Sequence, residues 1–281
     1  MPGETSEQIM HFILSSMEEN ELNMQQLTSF CADNAPVNFG GSNLGGKNNV
    51  FHHLAKRKTC LIPVGCPAHI LHNAAQKGAE RLTIDIETIV LKLGSRFKSQ
   101  TSRTNSLKQF CEQLDTSYST LPTHTPTRWL TLDAVLERMI ELWEPLQAHF
   151  LSLKRPPRIL ENFFRSETSQ AIVTFLHSTL QLFKQPLLLL QKTNALFPEL
   201  AEIIDSFRTK ILQRQCSEFF GASTADLLKT VDKDNANILK SSFKEFYTIT
   251  LEYISKWYQL EKHTKYINWT LLRVQAYLKK I

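Results

Sequence analysis

The sequence predicts an α/β segment followed by an all-α domain, mostly helical overall. Three observations carry this. Short β-prone runs occur at 26–32 and 61–65 and nowhere later. From residue 84 onward, apolar residues recur at helical spacing. The paired prolines of Lys154-Arg-Pro-Pro-Arg158 then interrupt the helical region. The expected division is therefore 1–83, strand–turn–helix, and 84–281, helical, with a break near 154–158.

The elements follow in order. Ile9, Met10, Ile13, Leu14 and Met17 fall on one side of a helix over 5–19. The run 26–32 is apolar and β-prone, and it ends in Cys31-Ala-Asp-Asn-Ala-Pro-Val-Asn38, where Asn34, Pro36 and Asn38 turn the backbone. Gly40, Gly41, Gly45 and Gly46 form a flexible connection. No Gly-Lys-Ser/Thr follows, so this is not a phosphate-binding loop. A helix over 49–58 finishes on Lys-Arg-Lys, which suits its dipole. The second strand, 61–65, leads into a helix over 68–82 through Cys66-Pro-Ala-His69. Further helices are expected over 84–98, 104–116, 131–150, 168–192, 196–220, 236–260 and 267–280. Two strands cannot make a stable sheet face alone, so the first region reads as part of a larger core.

Composition narrows the class. Hydrophobic content of 42% and charged content of 21% are those of a globular protein. No run of eighteen apolar residues appears, which argues against a membrane span, and the polar N-terminus argues against a secretory signal. Five scattered cysteines, an odd number, favour a reducing compartment. The charge is unevenly spread: residues 1–80 hold five Lys/Arg against seven Asp/Glu, so the net +5 belongs to the later, helical part. Such a balance permits nucleic-acid binding without demanding it.

Four sets of residues bear on chemistry. Asp33 stands where a strand runs out, the place where α/β proteins put their ligands and catalysts, although an aspartate there also caps turns. Cys66 and His69, with Cys60, His53 and His72 nearby, suggest zinc. Only one clean ligand pair is present, so packing is the preferred reading. Trp129, after Arg128 and a Pro-Thr turn, either stands free to stack on an unpaired base or anchors the stripe Leu132, Val135, Leu136, Met139 and Trp143. Finally, Lys92, Arg96, Lys98, Arg103 and Lys108 fall in a run that contains no acid. They form either a phosphate-binding surface or the wet side of helices. Lys154, Arg155 and Arg158 make a weaker second patch. Phe243, Phe246, Tyr247, Ile254, Trp257 and Tyr258 form a stripe expected to be core, with Glu245, Glu252 and Glu261 on its solvated side.

Asp33-Asn-Ala-x-x-Asn38, Cys66-x-x-His69 and the Arg128-Trp129 pair ahead of a long amphipathic helix occur here in that order. In this the chain resembles hAT-family transposases. The resemblance implies a partial ribonuclease H-like core with a large helical insertion domain, and makes Asp33 the counterpart of a catalytic aspartate. Family members hold Mg²⁺ with two aspartates and a glutamate, use the tryptophan at this position to hold a flipped base, and can hold phosphate with the neighbouring arginine. Asp33 is the first aspartate of this chain, and the chain ends at Ile281 soon after the insertion-like region. One carboxylate holds Mg²⁺ poorly. The expectation is an incomplete Asp/Asp/Glu triad: Asp33 as a remnant and weak Mg²⁺ ligand, no cofactor in this chain, Mg²⁺ only in an intact core, and no dimerisation segment.

The reading that follows is a truncated or domesticated transposase-like protein of the nucleus, with the cytoplasm as second choice. It associates with DNA, chromatin or transcription proteins, has no membrane partner, and lacks nuclease activity. The rivals are a protein-interaction scaffold without DNA binding, and a fragment of an active transposase that cuts and joins DNA with divalent metal.

Overall fold

The computed structural model describes residues 5–40, 46–98, 100–191 and 197–258. The chain splits into two compact units, Met1–Ile70 and Leu71–Ile281. The division falls within the helix Pro67–Ala79, earlier than the boundary expected at residue 83.

In the first unit, α1 (Ser6–Glu19) starts on a capping box. The Thr5 hydroxyl accepts from the Gln8 amide, and the Gln8 side chain reaches back to Thr5. Strand β1 (Ser29–Ala32) is followed by a single turn, α2 (Pro36–Phe39), then α3 (Val50–Arg57) and strand β2 (Ile62–Gly65). The strands pair in parallel, Ser29 with Ile62 through Ala32 with Gly65. A parallel pair needs a crossover, and α2–α3 supply it. Asn49 caps α3 by accepting from the His52 amide at 2.8 Å. Met10, Val50, Leu54 and Leu61 form a small core, with Phe30 and Phe51 packed against it.

Among its described residues, every regular element of the second unit is a helix. It holds most of α4 (Pro67–Ala79), then α5 (Ile86–Phe97), α6 (Thr101–Gln113), α7 (Leu132–Glu141), α8 (Trp143–Ser152), α9 (Arg158–Arg165), α10 (Ser169–Leu190), α11 (Phe197–Cys216), α12 (Ala222–Thr230) and α13 (Lys233–Trp257). Helix α10 is the centre: Ala171, Ile172, Val173, Phe175, Leu176 and Phe183 are fully buried, and α7, α11 and α12 pack on it. The stripe of α13 meets it through Phe243, stacked 3.9 Å from Phe175. Trp143, Phe150, Phe163 and Phe164 make a second aromatic cluster between α8 and α9.

The mostly helical fold with two strands is the one expected, with local differences. The single helix expected over 131–150 is two, α7 and α8, bent at Leu142 (φ −103°, ψ 21°). Pro145 offers no N–H to the Glu141 carbonyl and its ring crowds that carbonyl, which explains the break. Helices α2, α9 and α12, of four, eight and nine residues, are additions. The expected helix over 196–220 stops at Cys216. The chain then turns through Glu218 (φ 51°) and Gly221 (φ 108°) into α12. The helix expected at 267–280, together with Glu261, Gly41 and Gly45, lies outside the described residues. No helix among the described residues is long and apolar enough to cross a membrane.

Candidate nucleic-acid interface

The motif residues of the first unit gather at the ends of its two strands. Asp33 follows β1 directly and is exposed. Its Oδ1 accepts from the Ala35 amide at 3.1 Å and from the Asn38 side chain at 2.7 Å. This is an Asx turn tied down by the last residue of the motif, so the Asp33–Asn38 spacing has a structural cause. The side-chain amide of Asn34 has its nitrogen and oxygen buried without a hydrogen-bond partner. Cys66 continues the ladder beyond β2, its amide donating to the Ala32 carbonyl at 2.8 Å. Burial, and next the neighbouring Cys66, push the Cys31 thiol above its usual range. His69 is exposed on the first turn of α4.

A metal requires more than this. Among the described residues, no group of three or more His, Cys, Asp or Glu side chains could hold an ion. The Mg²⁺ implied by the resemblance therefore does not fit the residues present: Asp33 supplies a lone carboxylate with one oxygen already engaged.

In the second unit, Trp129 sits on a 3₁₀ turn, Pro126–Thr131, ahead of α7. It is 2% exposed, so the reading of an indole standing free beside a base is corrected: Trp129 is a core anchor. Its Nε1 donates to Glu87 Oε2 at 3.2 Å. The same carboxylate accepts from Gln76 and meets His124 Nε2 at 3.3 Å, while His124 Nδ1 lies 3.0 Å from Thr131 Oγ1. His72 Nδ1 accepts the Leu130 amide at 3.1 Å. Glu87, His124 and His72 thus fix the turn that carries Trp129, and sequence reasoning missed them in this role. Glu87 stands in the first turn of α5, where the helix dipole alone accounts for an acid. Arg128, by contrast, is exposed, with non-helical backbone (φ −124°, ψ 66°).

The cationic run occupies α5, α6 and their connection. Lys92, Lys98 and Lys108 are exposed, and Arg96 and Arg103 are half-buried. Arg103 Nη1 donates to the Arg96 carbonyl at 3.2 Å, satisfying one of the orphan carbonyls at the end of α5. Burial and then the Arg103 charge lower the pKa of Arg96 from its usual value. Its Nε is buried without a hydrogen-bond partner. Beneath the pair lies His149, 1% exposed, ringed by Phe97, Phe110 and Phe150 and 3.3 Å from Ser106 Oγ. Burial and then Arg96 lower its pKa to about 4. Lys154 and Arg155, in the connection before α9, and Arg158, its first residue, are exposed, and α9 packs against α5.

A family model described as FAM200-GTF2IRD2-like, the FAM200/GTF2IRD2 helical domain, matches residues 70–217. No solved structure matches the chain. The matched span covers the cationic run, the Trp129 turn and the central helix α10, more than half of the 281 residues. The chain belongs to the FAM200/GTF2IRD2-like family, a domain family related to domesticated transposases.

Proposed function

We propose that this is a transposase-derived nuclear protein that binds DNA through the α5–α6 surface and does not cut it. The observation that carries this reading is the acid-free run Lys92, Arg96, Lys98, Arg103 and Lys108, with three of its five cations exposed. Lysines in water are free to replace the counterions of phosphates, and half-buried arginines are already ordered for it. Exposed Arg128 is a further phosphate contact in this reading. The first unit is a partial ribonuclease H-like core, supported by its parallel strand pair with Asp33 at the end of β1. The lone carboxylate of Asp33 supports the absence of cleavage. Chromatin and transcription proteins are the expected company of such a protein.

Fluorescence-anisotropy titration of labelled duplex at several salt concentrations tests this reading. Salt-sensitive binding that is lost when Lys92, Arg96 and Lys98 are replaced together supports it. Folded protein that binds no duplex at low salt refutes it and leaves the protein-interaction scaffold.

A further inference from the structure

We propose that the α5–α6 surface includes a base-stacking site at Tyr118, so that it takes single-stranded DNA and not duplex phosphates alone. The inference rests on the DNA-binding reading above and adds a residue that neither the motifs nor the charge run contains. Two properties are needed of such a site: an aromatic face that a base can reach, and cations beside it to hold the backbone. The second unit has several large rings, but most are closed off. Trp129 and Trp143 are buried. Phe97 and Phe110 are half-buried, and their rings are engaged with His149 at 5.6 and 5.8 Å. Tyr118 differs. It lies in the non-helical connection after α6, half-buried, and the ammonium of Lys108 stands over its face, 5.2 Å from the ring centroid.

Lys108 is itself exposed, so the ring face it covers is one that a group arriving from solvent can reach. A half-exposed cation–π contact is weak and is readily exchanged for a stacked base. The displaced ammonium then has a phosphate to bind, because a nucleotide that stacks brings its own backbone anion. Lys108 thus serves as placeholder in the free protein and as phosphate ligand in the complex. Exposed Glu112 and Asp115 follow Lys108 and end the cationic run on that side, which favours a strand entering from Lys98 and Arg103 and finishing at Tyr118.

The test uses the full chain with two probes, fluorescein-labelled oligo(dT) and a duplex of the same length. Tyr118→Ala should weaken oligo(dT) binding roughly tenfold while changing duplex binding less than about twofold. Tyr118→Phe, which keeps the ring, should behave as the parent. A folded Tyr118→Ala protein that loses both probes equally, or neither, overturns the proposal and leaves the phosphate surface standing. A parent protein that binds neither probe overturns both.

Discussion

The indole N–H of buried Trp129 donates to the carboxylate of Glu87 at 3.2 Å, and the Glu87 side chain itself stays partly open to water. Glu87 also holds Gln76 and His124, so one carboxylate ties α4, α5 and the turn before α7 together. Trp129→Ala should cost about 3–5 kcal/mol of stability, the penalty for emptying a large aromatic site. Glu87→Ala should cost about 1–3 kcal/mol, because it strands buried donors. Urea unfolding of both variants checks this. A Trp129→Ala protein as stable as the parent would return the indole to the surface.

The apolar stripe Leu132, Val135, Leu136 and Met139 was legible because helical periodicity depends only on neighbours in sequence. The fate of Trp129 was not: a ring at the end of such a stripe is equally placed to turn in or out. What decides it is a carboxylate 42 residues away in sequence. Asp33 and Asn38 were legible as a turn, since their bond is local. The break at Leu142 was not legible, because the apolar stripe continues on both sides of it and masks the effect of Pro145. Helix α9 buries Leu160, Phe163 and Phe164 within eight residues, and only tertiary packing on α5 and α8 makes so short a segment helical.

His149 gives the fold an acid-side weakness. Its folded-state pKa, about 4, lies below the usual value of 6.5, so the unfolded chain takes up its proton first. Stability should therefore fall as pH drops from 6.5 towards 4 and level off below that. The loss should be roughly 2 kcal/mol after allowance for solvent screening of the Arg96 charge. His149→Phe should remove that part of the slope. Unfolding curves across this window that are identical for parent and variant would contradict it.

Asp133 works in the opposite direction. It is buried in the first turn of α7 and lies 3.0 Å from His177 Nδ1, with Gln181 and Lys184 also on its carboxylate. The hydrogen bond to Asp133 raises the His177 pKa above its usual value, against the opposing effect of burial. The stabilisation is fully present below the unfolded value and is lost as pH rises through the folded one. Asp133→Asn should abolish this alkaline-side decline, to be followed by histidine ring resonances and by thermal unfolding. An unshifted His177 titration in the variant would show that Asp133 is not the cause.

Gly78 marks a close approach. A Cβ there would lie 2.6 Å from Thr250 Oγ1 and 3.0 Å from the Phe246 ring, where α4 meets α13. Gly78→Ala should destabilise by about 1–3 kcal/mol despite alanine's better helix propensity of about 1 kcal/mol. A stabilised variant, measured by urea midpoint, would mean that the two helices separate easily.

The measurement that bears most directly on the central claim is the salt dependence of duplex binding. If Lys92, Arg96, Lys98, Arg103 and Lys108 each neutralise a phosphate, log Kobs should fall against log salt with a slope of about −4 to −5. Replacing Lys92, Arg96 and Lys98 together should flatten that slope by about 2–3. A parent slope near zero, or a triple variant with the parent's slope, would contradict the assignment of this surface to DNA.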